Sequence, residues 1–98
     1  MQETTFFEII LQSADFHFGG RGEIEDPLDE ALHREGLGEV TGGGSGMGIS
    51  NIDVEVTDPE RGLILIREVL RDLGVASSTA VRQAGSPSIM HSLYEPGG

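Results

Sequence analysis

Two segments of this chain follow the same pattern. Asp26-Pro27 opens an apolar-periodic stretch that stops at Gly36, and Asp58-Pro59 opens another that stops at Gly74. An aspartate just before a helix accepts hydrogen bonds from main-chain amides that have no partner there. Proline suits the first helical position, where no amide hydrogen is needed, and glycine adopts the left-handed turn that ends a helix. Each stretch is preceded by a β-like run and followed by another. The chain therefore reads as strand-helix-strand, twice over.

Residues 4–12 form the first strand, with Phe7, Ile9 and Leu11 alternating with Phe6, Glu8, Ile10 and Gln12. A period of two is the mark of a strand with one buried face. Residues 13–25, punctuated by Gly19, Gly20 and Gly22, read as a loop. The first helix then carries Leu28, Ala31 and Leu32 on its apolar stripe, with Asp29 and Glu30 in the first turn, where the helix dipole favours acids. Residues 38–41 form a second strand that enters the glycine-rich run 41–48. Residues 49–57 are a third, with Ile52, Val54 and Val56 opposing Asn51, Asp53 and Glu55. In the second helix Leu63, Ile66, Val69, Leu70 and Leu73 recur at three- and four-residue steps. A fourth strand over 78–83, a turn at 84–87 and a short edge strand over 88–94 complete a single domain spanning 1–95. Residues 96–98 are expected to fray.

Right-handed crossovers in a β-α-β-β-α-β chain place the first and third strands side by side in the sheet centre, with both helices on one face. This order resembles the ferredoxin-like split βαβ sandwich: an α+β fold of two layers with a four-stranded antiparallel sheet, here with a further C-terminal edge strand. The resemblance lies in the order of elements, and a fold of this type carries many unrelated functions.

Ninety-eight residues suffice for one core, and with five aromatic residues and no tryptophan that core is aliphatic. The chain has no cysteine, which excludes disulfides, thiol catalysis and cysteine-ligated zinc. Its first residues carry no basic, apolar leader pattern, and the longest apolar run, 63–66, is too short to span a bilayer, so a cytoplasmic protein is expected. Seventeen acids face six bases, all arginine, for a net charge of −11. Such a surface disfavours nucleic acid and anionic membranes, and it suits a basic protein partner.

The run Thr41-Gly-Gly-Gly-Ser-Gly-Met-Gly48 invites a phosphate-loop reading. Yet no helix follows it, and the Gly-Lys-Ser/Thr of a P-loop is impossible without lysine. It is expected instead to be a flexible or bulged hairpin, or a bare backbone on which a large group packs, with Met47 as an apolar contact at the tip. Of the histidines, His33 is expected to face solvent, and His17 lies two residues from Asp15, which would orient it.

The carboxylates of Glu8, Asp53 and Glu55 fall on the sheet face opposite the helices, from adjacent strands, near Asn51. A hard-cation site, an acid–base pair and an acidic binding face all fit that pattern, as does a merely solvated sheet face with Arg82 as its local counter-charge. The expectation drawn here is a protein-binding module without cofactor or metal. It uses Glu8, Asp53, Glu55, Asn51 and Met47 against a basic enzyme or toxin, in the manner of an immunity protein or inhibitor. The competing expectation is a small-molecule-binding or enzymatic domain that forms a homodimer through its sheets, with Asp15, His17, Gly43, Gly44 and Gly46 as its ligand site.

Overall fold

A computed structural model describes residues 4–15, 20–85 and 87–93 of the protein. The frayed tail expected at 96–98 and the position of His17 lie outside the described residues. The fold is α+β, two helices over a five-stranded antiparallel sheet of order β2-β3-β1-β4-β5. The strands are β1 (Thr5–Gln12), β2 (Gly38–Gly46), β3 (Ile49–Val56), β4 (Ala80–Gln83) and β5 (Ile89–Ser92); the helices are α1 (Gly22–Arg34) and α2 (Pro59–Leu73).

The first strand lies between β3 and β4. Phe7 stands opposite Val54 and Gln83, and Ile9 opposite Ile52 and Val81. Alternation then sends Phe7, Ile9, Leu11, Ile52, Val54 and Val56 to one face, where both helices cover them. Ile24, Leu28 and Leu32 of α1 and Ile66 and Leu70 of α2 complete a continuous aliphatic core.

Helix α2 starts as expected, for the Asp58 carboxylate accepts from the Arg61 amide at 3.2 Å and Pro59 takes the first position. It ends at Gly74, whose φ of 77° is left-handed. Gly62 and not Leu63 is the buried residue of its first turn. A Cβ at Gly62 would stand 2.9 Å from a methyl of Val56, so the helix settles onto the sheet where only glycine fits.

Two expectations need correction. Helix α1 begins at Gly22, ahead of Asp26-Pro27, and Pro27 lies inside it at the loss of one main-chain hydrogen bond. The reason is Ile24, which is fully buried one turn before Leu28. Its burial offsets the missing bond and draws residues 22–25 out of the expected loop. Residues 13–15 likewise form a 3-10 turn. The second correction concerns the glycine run: it is the hairpin expected, but β2 continues to Gly46 and does not end at 41. Residues 42–46 belong to β2 and pair with β3 from Gly42 opposite Asp53 to Gly46 opposite Ile49. The turn proper is Met47-Gly48, with φ of 56° and 79°, the two-residue hairpin type that needs positive φ at both positions. The bulge that was expected is present, between Val40 and Gly42.

Strand β5 adds a fifth strand beyond the four of the expected sandwich. Arg67 of α2 donates to the Ser92 carbonyl through Nε (3.0 Å) and Nη2 (2.8 Å), and Arg71 donates to the Leu93 carbonyl (2.9 Å). These bonds and the buried Leu93 side chain fasten the strand's end to α2.

Ile66 sits at the centre of the α2 stripe with no solvent exposure. Ile66→Ala is expected to lower the unfolding free energy by about 2–5 kcal/mol in urea titration. A loss below about 1 kcal/mol would mean that this face is not the core.

Candidate functional site

The sheet face opposite the helices is the candidate site, and the strand registers fix what stands on it. Glu8 on β1 lies directly opposite Asp53 on β3, and on its other side opposite Arg82 on β4. Glu55 is one row along β3 from Asp53, opposite Phe6 on β1 and Glu39 on β2. Asn51 is one row the other way, and its amide donates to the Asp53 carboxylate at 3.2 Å. Glu8, Asp53, Glu55 and Asn51 are thus together on one surface, as the alternation of β1 and β3 requires.

Two of the cross-strand pairs here, Glu8–Asp53 and Glu39–Glu55, are like-charged, an arrangement that costs stability in a sheet. Arg82 relieves one of them by an ion pair with Glu8. The other basic group close to a carboxylate of this face, among the described residues, is His33, whose Nε2 lies 3.9 Å from Glu39 Oε1. Apolar side chains stand beside the charges: Phe6, Ile49 and Met90 are exposed, and Ile10 is half-buried. Phe6, Glu8, Thr41, Asp53, Arg82 and Ala84 border a shallow cleft of about 220 Å³. An acidic, partly apolar and open surface of this kind can hold the basic side chains of another protein. Among the described residues no group of three or more potential ligands is arranged to hold a metal ion.

Met47 is placed elsewhere. It is fully exposed at the tip of the β2–β3 turn, past the end of the acidic rows. Glu39 was missed by sequence reasoning. The signal was available in the alternation of Gly38, Glu39 and Val40, but the bulge after Val40 hides which face each residue takes.

Of the residues named for the alternative ligand site, the glycines of β2 divide between the two faces of the sheet. Gly44 lies on the open face beside Asn51, whereas Gly43 faces α1, with the Glu25 carboxylate 3.3 Å from where a Cβ would stand. The first turn of α1 therefore rests on the bare backbone of β2. There Arg21 donates to the Ser45 hydroxyl (3.2 Å) and lies 3.3 Å from the Glu25 carboxylate. The packing partner anticipated for the glycine run is internal on this side. Asp15 belongs to the 3-10 turn, and His17 lies outside the described residues.

His33 is exposed, with Nδ1 2.9 Å from the Asp29 carbonyl. His91 belongs to β5 and, among the described residues, meets no carboxylate. Its Nε2 is 2.9 Å from the Gln83 side-chain oxygen, and its ring tilts against Phe7. Comparison with known protein families, with curated proteins and with solved structures finds no match.

Burial, and then the nearby Arg67 charge, lower the pKa of His91 below 6.5. The unfolded chain thus binds this proton more readily than the folded one. Stability is expected to fall as pH drops from 6.5 toward the lowered value and to stop responding to this group below it. Urea midpoints measured across that window should slope less in His91→Gln, and equal slopes would show that His91 is not the group responsible.

Proposed function

We propose that the protein is a small binding module that engages a basic protein partner through its open sheet face, in the manner of an immunity protein or inhibitor. The observation that carries the reading is the register that sets Glu8 against Asp53 and Glu55 against Glu39 with a single pairing arginine. Like-charged pairs oppose folding, so a surface that keeps them is better accounted for by what it meets than by what it stabilises. The net charge of −11 extends the same field beyond the contact, and complementary fields speed encounter with a cationic surface. A cytoplasmic location belongs to this proposal; among the described residues no helix is long and apolar enough to cross a membrane.

The fold is read within the same proposal as a ferredoxin-like sandwich carrying one added strand. Support comes from β1 and β3 at the sheet centre, the two helices on one face, and β5 placed outside β4.

The test is a triple change, Glu8→Gln with Asp53→Asn and Glu55→Gln. The fold is expected to persist, since the like-charge repulsion is removed. Association with a basic protein that co-purifies at low salt is expected to slow, and the on-rate should lose most of its salt dependence in stopped-flow measurements at two ionic strengths. An unchanged on-rate and an unchanged salt slope would remove the acidic face from the function.

A second reading has one observation in its favour. Phe6, Ile49 and Met90 are exposed on the same face and would be covered if two copies packed sheet to sheet. That dimer, the basis of the small-molecule or enzymatic alternative, brings carboxylates together and is therefore expected to tighten as salt rises. Sedimentation velocity at low and high salt separates the two, and a monomer under both conditions removes the dimer.

A further inference from the structure

We propose that the partner adds a strand to the outer edge of β2 and presents arginine or lysine at every second residue. This rests on the basic-partner reading and specifies how such a partner is gripped.

The edge itself supplies the first argument. Gly46 and Ile49 face one another across the two-residue turn, and such a pair closes its hairpin with hydrogen bonds. The alternation of an antiparallel ladder then points the main-chain N–H and C=O of Ser45 and Gly43 away from β3, out of the sheet. Both residues are exposed. Among the described residues no side chain bonds to those main-chain groups. Earlier in the strand the edge is protected, because the Val40 amide donates to the Asp29 carboxylate at 2.9 Å and the bulge follows at once. Capping groups and bulges are the usual means of keeping an edge strand unpaired. Here both stop short of residues 42–46.

The second argument is what an added strand would meet. Gly42, Gly44 and Gly46 occupy the open-face positions of β2 and raise no side chains between the edge and β3. The Asp53 Oδ2 lies 3.8 Å from where a Cβ of residue 42 would stand, and the Asn51 Oδ1 lies 3.5 Å from that of residue 44. The oxygens of β3 therefore reach over the bare backbone toward the edge. Strands sit roughly 4.8 Å apart, so an added strand lies roughly 10 Å from β3. A long cationic side chain crosses that gap only because no side chain fills it. The repeat of two along a strand then sets the spacing of the basic residues. A second copy of this chain suits the edge poorly, because it would bring Asp53 and Glu55 toward their own counterparts.

The test uses the double variant Gly42→Thr with Gly44→Thr. Both positions have ordinary space for a Cβ and neither has a positive φ. Threonine also favours strands, so the thermal midpoint should not fall. The probes are two peptides of equal charge, one alternating threonine with arginine and one alternating proline with arginine. Proline removes the amides that strand addition needs. By NMR titration the wild type is expected to bind the threonine peptide at least about tenfold more tightly than the proline peptide. Hydrogen exchange should slow at Gly43 and Ser45, and the double variant should lose the preference.

Equal binding of both peptides, abolished by the triple carboxylate change, would overturn strand addition and leave the acidic face standing. Failure of both peptides to bind the wild type would overturn both readings. A low-salt dimer that the double variant abolishes would put a second copy on the edge and overturn the proposal. If the double variant does not fold, the peptide pair on the wild type alone decides between these outcomes.

Discussion

The register between β1 and β3, with Phe7 opposite Val54 and Ile9 opposite Ile52, is the constraint on which the other elements depend. It sends six apolar side chains to one face, and both helices are held by burying them. The same register sends Glu8 and Asp53 to the other face. A slip of one residue would put carboxylates into the core and apolar residues into water, so the pairing is strongly specified by the burial of one face. Core and acidic surface are therefore two results of one alignment. The first cannot be kept while the second is given up by any change in pairing.

Much of this was legible because the signals were local and agreed with one another. In α2 the cap at Asp58, the proline after it, the stripe through Ile66 and Leu70 and the stop at Gly74 all specify one helix, and it forms there. The alternation in β1 and β3 likewise placed Glu8, Asp53, Glu55 and Asn51 on a common face. The start of α1 was not legible, because Asp26-Pro27 imitates a helix start inside a helix. Ile24 was the contrary signal, and its weight comes from burial against residues distant in the chain. The glycine run failed for another reason. A strand announces itself by alternating side chains, and residues 42–44 have none. Only the pairing of β3 with them reveals a strand, and that pairing depends on Asn51 and Asp53 lying within reach.

Positive charge is used sparingly and mostly inward. Arg67 and Arg71 spend their donors on the carbonyls of Ser92 and Leu93, Arg82 on Glu8, and Arg21 on Ser45 and Glu25. Four of the chain's six arginines thus fasten one part of the fold to another. The acids are distributed differently, with Glu39, Asp53 and Glu55 left on an open sheet. A cationic surface approaching the protein meets a field more lopsided than the composition alone would give.

The glycines of β2 also bear on the order in which the fold is made. Glycine loses more conformational freedom on ordering than any other residue and brings no side chain to repay the loss. The hairpin of β2 and β3 is close in sequence, yet its distal half gains little until β3 is already fixed against β1. Ordering of β2 should therefore proceed from Val40, which the Asp29 carboxylate anchors, toward the turn at Met47-Gly48. In the native protein the same gradient runs backwards. The segment that closes last is the one that opens most cheaply, so the end of the sheet most accessible to another chain is also the end with least to lose by rearranging.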